Sequence, residues 1–206
     1  VSLVFTFDDG PGPQTEELAG YLAEQKIPAT FFMVGKHVRG NPEAVTRLRE
    51  LGHRIGNHTE NHLHLTNSSV SDRQALAEFL ETDKLLQELG VPAPYYFRPP
   101  YGGWNGHLAH VFRDLPLANP AGWDIDGRDH ALWHDHKSAE ACADSYLRAI
   151  EKRKAGIILF HDYSADDARA AQANRVCDMI RLLVPRLRKK GYGFRSLEDP
   201  IVPADK

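Results

Sequence analysis

Short apolar, strand-like runs alternate along this chain with segments of helical periodicity, and that alternation restricts the possible folds more than any other feature. "VSLVFTF" (residues 1–7) leads to "TEELAGYLAEQ" (15–25), where Leu18, Tyr21 and Leu22 recur at helical spacing. "ATFFMVG" (29–35) reads as a second strand. "NPEAVTRLRELG" then reads as a helix capped by Asn41, with Pro42 in its first turn and Gly52 as its stop. "HRIGNH" (53–58) is a short strand candidate, and the helix "SDRQALAEFLETDKLLQELG" opens on a Ser71–Gln74 capping box and ends at Gly90. "YYFRPP" (95–100) is a strand stopped by its prolines, and between 103 and 136 the pattern yields only a short helix near 105–113. A helix from about Ser138, the buried strand "GIILFHD" (156–162), a long helix from about 166 with Pro185 inside or ending it, and "GFRSLED" (193–199) follow.

This order predicts a parallel sheet with helices outside it, either doubly wound or a barrel. Five or more βα units in 206 residues suit a distorted or incomplete (β/α) barrel better. No repeat, low-complexity tract or linker divides the chain, so residues 1–206 read as one domain. A net charge of -3 argues against a nucleic-acid or anionic-membrane partner, and no apolar run approaches the roughly 18–20 residues of a membrane span. No secretion signal is visible, and the opening on Val1 leaves open a removed leader or a longer parent chain. Cys142 and Cys177 lie in helical segments and read as buried free thiols.

In parallel βα folds, functional groups gather at the C-terminal ends of strands. Here those ends carry Asp8 and Asp9, then His58, then Arg98, then His161 and Asp162. In "HTENH", His58 and His62 are four residues apart, a spacing that puts both imidazoles on one face of a helical turn. His130 and His134 repeat that spacing, so the pair acquires meaning only with a third ligand such as a strand-end carboxylate. Thr59 stands where a zinc metalloprotease needs Glu, which removes that reading. One Asp and two His leave positions on a metal open for water, whose pKa a divalent ion brings from about 15.7 towards about 7. The water still needs a base. One of Asp8 and Asp9 would therefore hold the ion and the other accept the proton.

"TFDDGP" (6–11), "HTENH" (58–62), "RPPYG" (98–102), "WDIDGRD" (123–129) and "LFH" (159–161) occur in the order of the five motifs of the polysaccharide deacetylases, carbohydrate esterase family 4 or the NodB-homology domain, which the chain resembles over residues 1 to about 200. The resemblance implies removal of acetyl groups from N-acetylglucosamine units of chitin, chitooligosaccharide or peptidoglycan, with one divalent metal, usually zinc. Asp8 resembles the catalytic base, Asp9, His58 and His62 the metal triad, and Arg98 the arginine that keeps the base ionised. Tyr101 resembles the residue whose backbone N–H holds the oxyanion, His161 the general acid and Asp129 its partner carboxylate. Trp123 and Leu159 resemble the walls of the acetyl pocket. The family analogy also implies an extracellular or cell-envelope location.

Two stretches depart from the pattern. His130 stands where the family has Trp, within the His/Asp-rich run 128–136, and the segment after His161 is long. These read as an altered substrate rim, with a second metal site on His130, His134 or His136 as the lesser alternative. Rival functions are an acetylxylan esterase, a hydrolase of small non-glycan amides, and a carbohydrate-binding protein without catalysis.

Overall fold

The computed structural model describes residues 2–93, 96–115, 117 and 121–197. The strand expectations at Val1, Tyr95 and 198–199 fall outside them. Among the described residues, seven strands, all parallel, form one sheet: β1 (Ser2–Asp8), β2 (Ala29–Met33), β3 (Arg54–Asn57), β4 (Tyr96–Phe97), β5 (Ile125–Asp126), β6 (Gly156–His161) and β7 (Gly193–Phe194). Their spatial order is β4-β3-β2-β1-β6-β5, with β7 against the start of β1. Between them run α1 (Thr15–Glu24), α2 (Gly35–Gly40), α3 (Pro42–Glu50), α4 (Asp72–Glu88), α5 (Gly106–Val111), α6 (Asp129–His134), α7 (Ala139–Arg153), α8 (Ala168–Ala173) and α9 (Val176–Lys189). This is the expected α/β architecture of parallel strands with outer helices.

Every residue of β1 after Ser2 is buried, yet the strand's two faces do different work. Because side chains alternate along a strand, Leu3, Phe5 and Phe7 join the large core under the helices, while Val4 joins a small inner cluster with Phe32, Ile157 and Leu197. The outer face is an aromatic pile: Phe7 stacks on Phe31 and Phe160 at 4.9 and 5.1 Å, and Phe5 meets Phe160 edge-on at 5.0 Å. The inner face continues upward from Val4 to Thr6 and then Asp8. In register, Asp8 stands beside Phe32 on one side and His161 on the other, so two strands deliver polar groups to one level of the rim.

The sheet is not a regular barrel. Between β4 and β5 the polar ends are met by residues 121–124: Ala121 N–H donates to the Phe97 carbonyl and Asp124 N–H to that of Ile157, both at 2.8 Å. The Arg98 side chain, wholly buried, reaches across from the end of β4 to the carbonyls of Ala121 (Nε, 3.0 Å) and Gly122 (Nη2, 2.9 Å).

Several local expectations change. The long helix from 166 is two helices, broken at Asn174, whose side chain accepts from Val176 N–H (2.8 Å) and donates to the His161 carbonyl (3.1 Å). Pro185 lies inside α9. Asn41 does not cap α3 with its side chain, which donates to Glu16 instead, and the short helix α2 precedes it. The Ser71–Gln74 capping box forms. Both cysteines are buried free thiols, and among the described residues no helix is long and apolar enough to cross a membrane.

Candidate active site

The four strand ends named from the sequence lie at one rim: Asp8 closes β1, His58 follows β3, Arg98 follows β4 and His161 closes β6. Eight of the ten predicted site residues, namely Asp8, Asp9, His58, His62, Tyr101, Trp123, Leu159 and His161, line a single cavity of about 460 Å³. Arg98 and Asp129 lie behind its wall, each completely buried. A wider groove of about 820 Å³, against residues 136–140 and 172–182, lies apart from these residues. Asp162, the residue after β6, is not among the cavity-lining residues; it accepts from Thr15 and packs against Gly10, leaving no room there for a Cβ.

His58 and His62 converge without a helical turn, contrary to the reading of their spacing. Residues 58–62 form an irregular loop in which Thr59 (φ 70°) and His62 (φ 61°) are left-handed, as is Asp9 (φ 77°). Non-glycine residues adopt that region at a cost, and such strain concentrates at functional sites. At Asp9 it breaks strand alternation, so that adjacent Asp8 and Asp9 both face the rim. Asp9 Oδ1 lies 3.4 Å from His58 Nε2 and 3.2 Å from His62 Nε2, and all three residues are buried. Their candidate ligand atoms lie within 4.8 Å of one another, the only such grouping among the described residues. His130, His134 and His136 belong to no such grouping among the described residues.

Hydrogen bonding on the far side of each imidazole decides what faces inward. His58 Nδ1 lies 2.6 Å from the Arg98 carbonyl, which can only accept, so that nitrogen carries the proton. His62 Nδ1 meets the Asp166 carboxylate in the same sense. Neutral rings so held present Nε2 lone pairs to a carboxylate oxygen. Three acceptors facing one another over this distance fit a cation between them. Burial alone would raise the Asp9 carboxyl, but in cation-free protein the imidazoles instead turn N–H groups to it, and those hydrogen bonds, with the charges of His161 and His62, hold it well below the usual carboxylate range. The donor set of one carboxylate and two imidazoles suits a divalent ion with open positions, zinc among them.

Asp8 is placed differently. Its Oδ1 accepts from Arg98 Nη1 at 2.8 Å, while Oδ2 is 3.7 Å from His58 Nε2. The same Nη1 donates to Thr6 Oγ1 at 2.9 Å, and the guanidinium lies over the Phe32 ring at 4.2 Å. On the other strand, His161 Nδ1 is 2.8 Å from Asp129 Oδ1, and Asp129 Oδ2 accepts the His161 backbone N–H at 2.8 Å. Asp126 and Asp124 direct their carboxylates to the backbone N–H groups of Arg128 and Ile157. Of the three candidate acids, Asp129 is thus the one against His161. Tyr101 is left-handed (φ 58°) and exposed, and its hydroxyl donates to Asp166.

Burial would lower the His161 pKa, but the Asp129 charge and hydrogen bond, helped by Asp9 and Asp8, raise it from 6.5 to about 10. A pKa raised on folding adds stability that is complete below about 6.5 and lost as pH climbs towards about 10. Cation-free protein should therefore lose urea resistance across that window, and Asp129→Asn should remove most of the pH dependence. An unchanged profile in that variant would show that the pair does not govern the imidazole.

Sequence reasoning missed Asp166 and Asp167, which also line the cavity, together with His37, whose Nδ1 lies 2.7 Å from the Asp9 carbonyl. The only warning was the length of the segment after His161. His130 lines the cavity too, as an altered rim requires.

A family model described as polysaccharide deacetylase matches residues 2–120. The chitooligosaccharide deacetylase of Sinorhizobium fredii is 31% identical over 202 residues, covering 95% of this chain and 90% of that protein. The peptidoglycan-N-acetylglucosamine deacetylase of Bacillus cereus is 33% identical over 204 residues, covering 96% and 86%. A family 4 carbohydrate esterase from Streptomyces lividans, solved in complex with acetate, matches with a TM-score of 0.76 at 27% identity, over 96% of this chain and 93% of that one. With a family model matched over more than half its length and relatives above 30% identity along nearly all of it, the chain belongs to the polysaccharide deacetylases, a family of hydrolytic enzymes.

Proposed function

We propose that this enzyme removes N-acetyl groups from N-acetylglucosamine units of chitin, chitooligosaccharide or peptidoglycan, using one divalent cation held by Asp9, His58 and His62. The observation that carries the reading is the three buried acceptors facing one another, with a separate carboxylate, Asp8, and an imidazole backed by Asp129, His161, on the same cavity. The relatives named above act, by their names, on such glycans.

When bound, a divalent ion there supplies Lewis acidity towards the acetyl carbonyl and the attacking water. Asp8 Oδ2 accepts the proton that water loses as it attacks, while Arg98 holds Oδ1 and fixes the carboxylate's orientation. The backbone N–H of Tyr101 donates to the developing oxyanion. His161 then gives its proton to the departing nitrogen, since an unprotonated amine is a very poor leaving group. With Nδ1 engaged by Asp129, Nε2 is the atom that donates, and Asp129 stabilises the charged ring beforehand. Trp123 and Leu159 line the space for the acetyl methyl.

Acetate release from chitooligosaccharide, peptidoglycan and acetylxylan, with chelator and with zinc restored, tests the reading. The expected result is release from an N-acetylated glycan, abolished by chelator and recovered with zinc. Release from acetylxylan alone would replace it with an ester hydrolase, where an alkoxide departs more readily and His161 matters less. Hydrolysis of small amides alone would move the substrate outside glycans, and bound zinc with no turnover would indicate a carbohydrate-binding protein. A wall or extracellular glycan as substrate also puts the enzyme outside the cytoplasm or in the cell envelope. Fractionation of producing cells that found it only in the cytoplasm would refute that location.

A further inference from the structure

The two imidazoles of the donor set are supported in unlike ways. His58 leans on the main-chain carbonyl of Arg98, the residue after β4, a group that no side-chain change removes. His62 leans on Asp166, a side chain 104 residues away in the loop between β6 and α8. We propose that Asp166 is a positioning residue for His62, and that the loop carrying it sets how tightly Asp9, His58 and His62 grip their cation. This inference rests on the reading of those three residues as a cation site.

Residues 165–167 act on two of the three members. Ala165 N–H donates to Asp9 Oδ2 at 2.9 Å, occupying the outer oxygen and leaving Oδ1 towards the imidazoles. Asp166 Oδ2 accepts from His62 Nδ1 and also from the Tyr101 hydroxyl. His62 and Tyr101 are both left-handed, and their rings lie 4.8 Å apart, so one carboxylate oxygen ties together a loop residue and the middle residue of a short 3-10 turn, Pro100–Gly102. A carboxylate accepting from the outer nitrogen fixes the tautomer and strengthens the inner nitrogen as a donor, as a neutral carbonyl does less well. Lys36 Nζ, 3.9 Å from Asp166 Oδ1, adds a weak, half-exposed tether.

The loop is held on its other side by the His-rich segment that the sequence offered as an altered substrate rim. His130 Nε2 lies 3.1 Å from Ser164 Oγ, and His134 Nδ1 lies 2.6 Å from Asp167 Oδ2. Asp167 in turn caps α8 by accepting from Arg169 and Ala170 N–H, both at 3.0 Å. The two departures of this sequence are therefore partners: α6 braces the long loop, and the loop braces Asp9 and His62.

Zinc affinity of the full chain, measured by competition with a chromophoric chelator, tests this directly. Asp166→Ala should weaken zinc about 10–100-fold, and Asp166→Asn, which keeps an acceptor without the charge, by less. Tyr101→Phe, which spares the His62 contact, should change zinc affinity by less than about threefold, since only the imidazole contact acts on the ligand set. In ¹⁵N spectra of the zinc-loaded protein, the His62 Nδ1 resonance should shift in both Asp166 variants while that of His58 stays in place. If Asp166→Ala fails to fold, Asp166→Asn still decides. Wild-type affinity in both Asp166 variants would overturn the inference and leave the cation site standing. No zinc binding by the wild type would remove both.

Discussion

Asp8→Asn is expected to lower acetate release by about 10²–10⁴-fold, the range set by loss of a general base, while zinc affinity stays within a few-fold of wild type. The division follows from geometry. Asp9 Oδ1 faces both imidazoles at 3.2 and 3.4 Å, whereas Asp8 gives one oxygen to Arg98 and holds the other farther from His58. Asparagine has nearly the same shape and still offers Arg98 an acceptor, so the site should remain built; a thermal midpoint checks that. His58→Ala should lose both turnover and zinc, because it removes one of three donors. Equal zinc loss in the two variants would overturn this separation of base from ligand.

The largest effect on stability is expected at Arg98. Its side chain is wholly buried, and it donates to Asp8, Thr6 and the carbonyls of Ala121 and Gly122. Arg98→Met keeps much of the volume but strands a buried carboxylate and two carbonyls, and breaking one side of a buried pair costs about 3–5 kcal/mol. The urea midpoint should fall by at least about 1 M, given slopes of about 1–3 kcal/mol/M for small proteins. Arg98→Lys should recover only part of this, since a single ammonium cannot span four acceptors disposed around a planar fork. A midpoint unchanged in Arg98→Met would mean that the polar seam between β4 and residues 121–124 holds without the arginine.

Both expectations concern residues visible in the sequence, but for different reasons. Asp8, His58, Arg98 and His161 could be placed on one rim because strand runs are legible from composition and because parallel strands end on the same side. Their contacts could not. The His58–His62 spacing suggested a helical turn, and the rings instead meet through two left-handed residues, a conformation that side-chain periodicity does not encode. "WDIDGRD" offers three acids; the family resemblance pointed to Asp129, and the approach of α6 to β6 puts it against His161. Asp166 was invisible for a related reason: its loop has no periodicity, and its partners His62 and Tyr101 are remote in the chain.

The sequence by itself determined the alternation of most strands and helices and much of the set of residues available for chemistry, since these follow from local pattern. Tertiary structure alone decided that Asp166 backs His62, how the gap beside β4 is bridged, and that the His-rich segment supports the loop over the site. Those outcomes depend on contacts between residues far apart in the chain, where backbone geometry of a few strained positions, rather than residue type, directs each side chain.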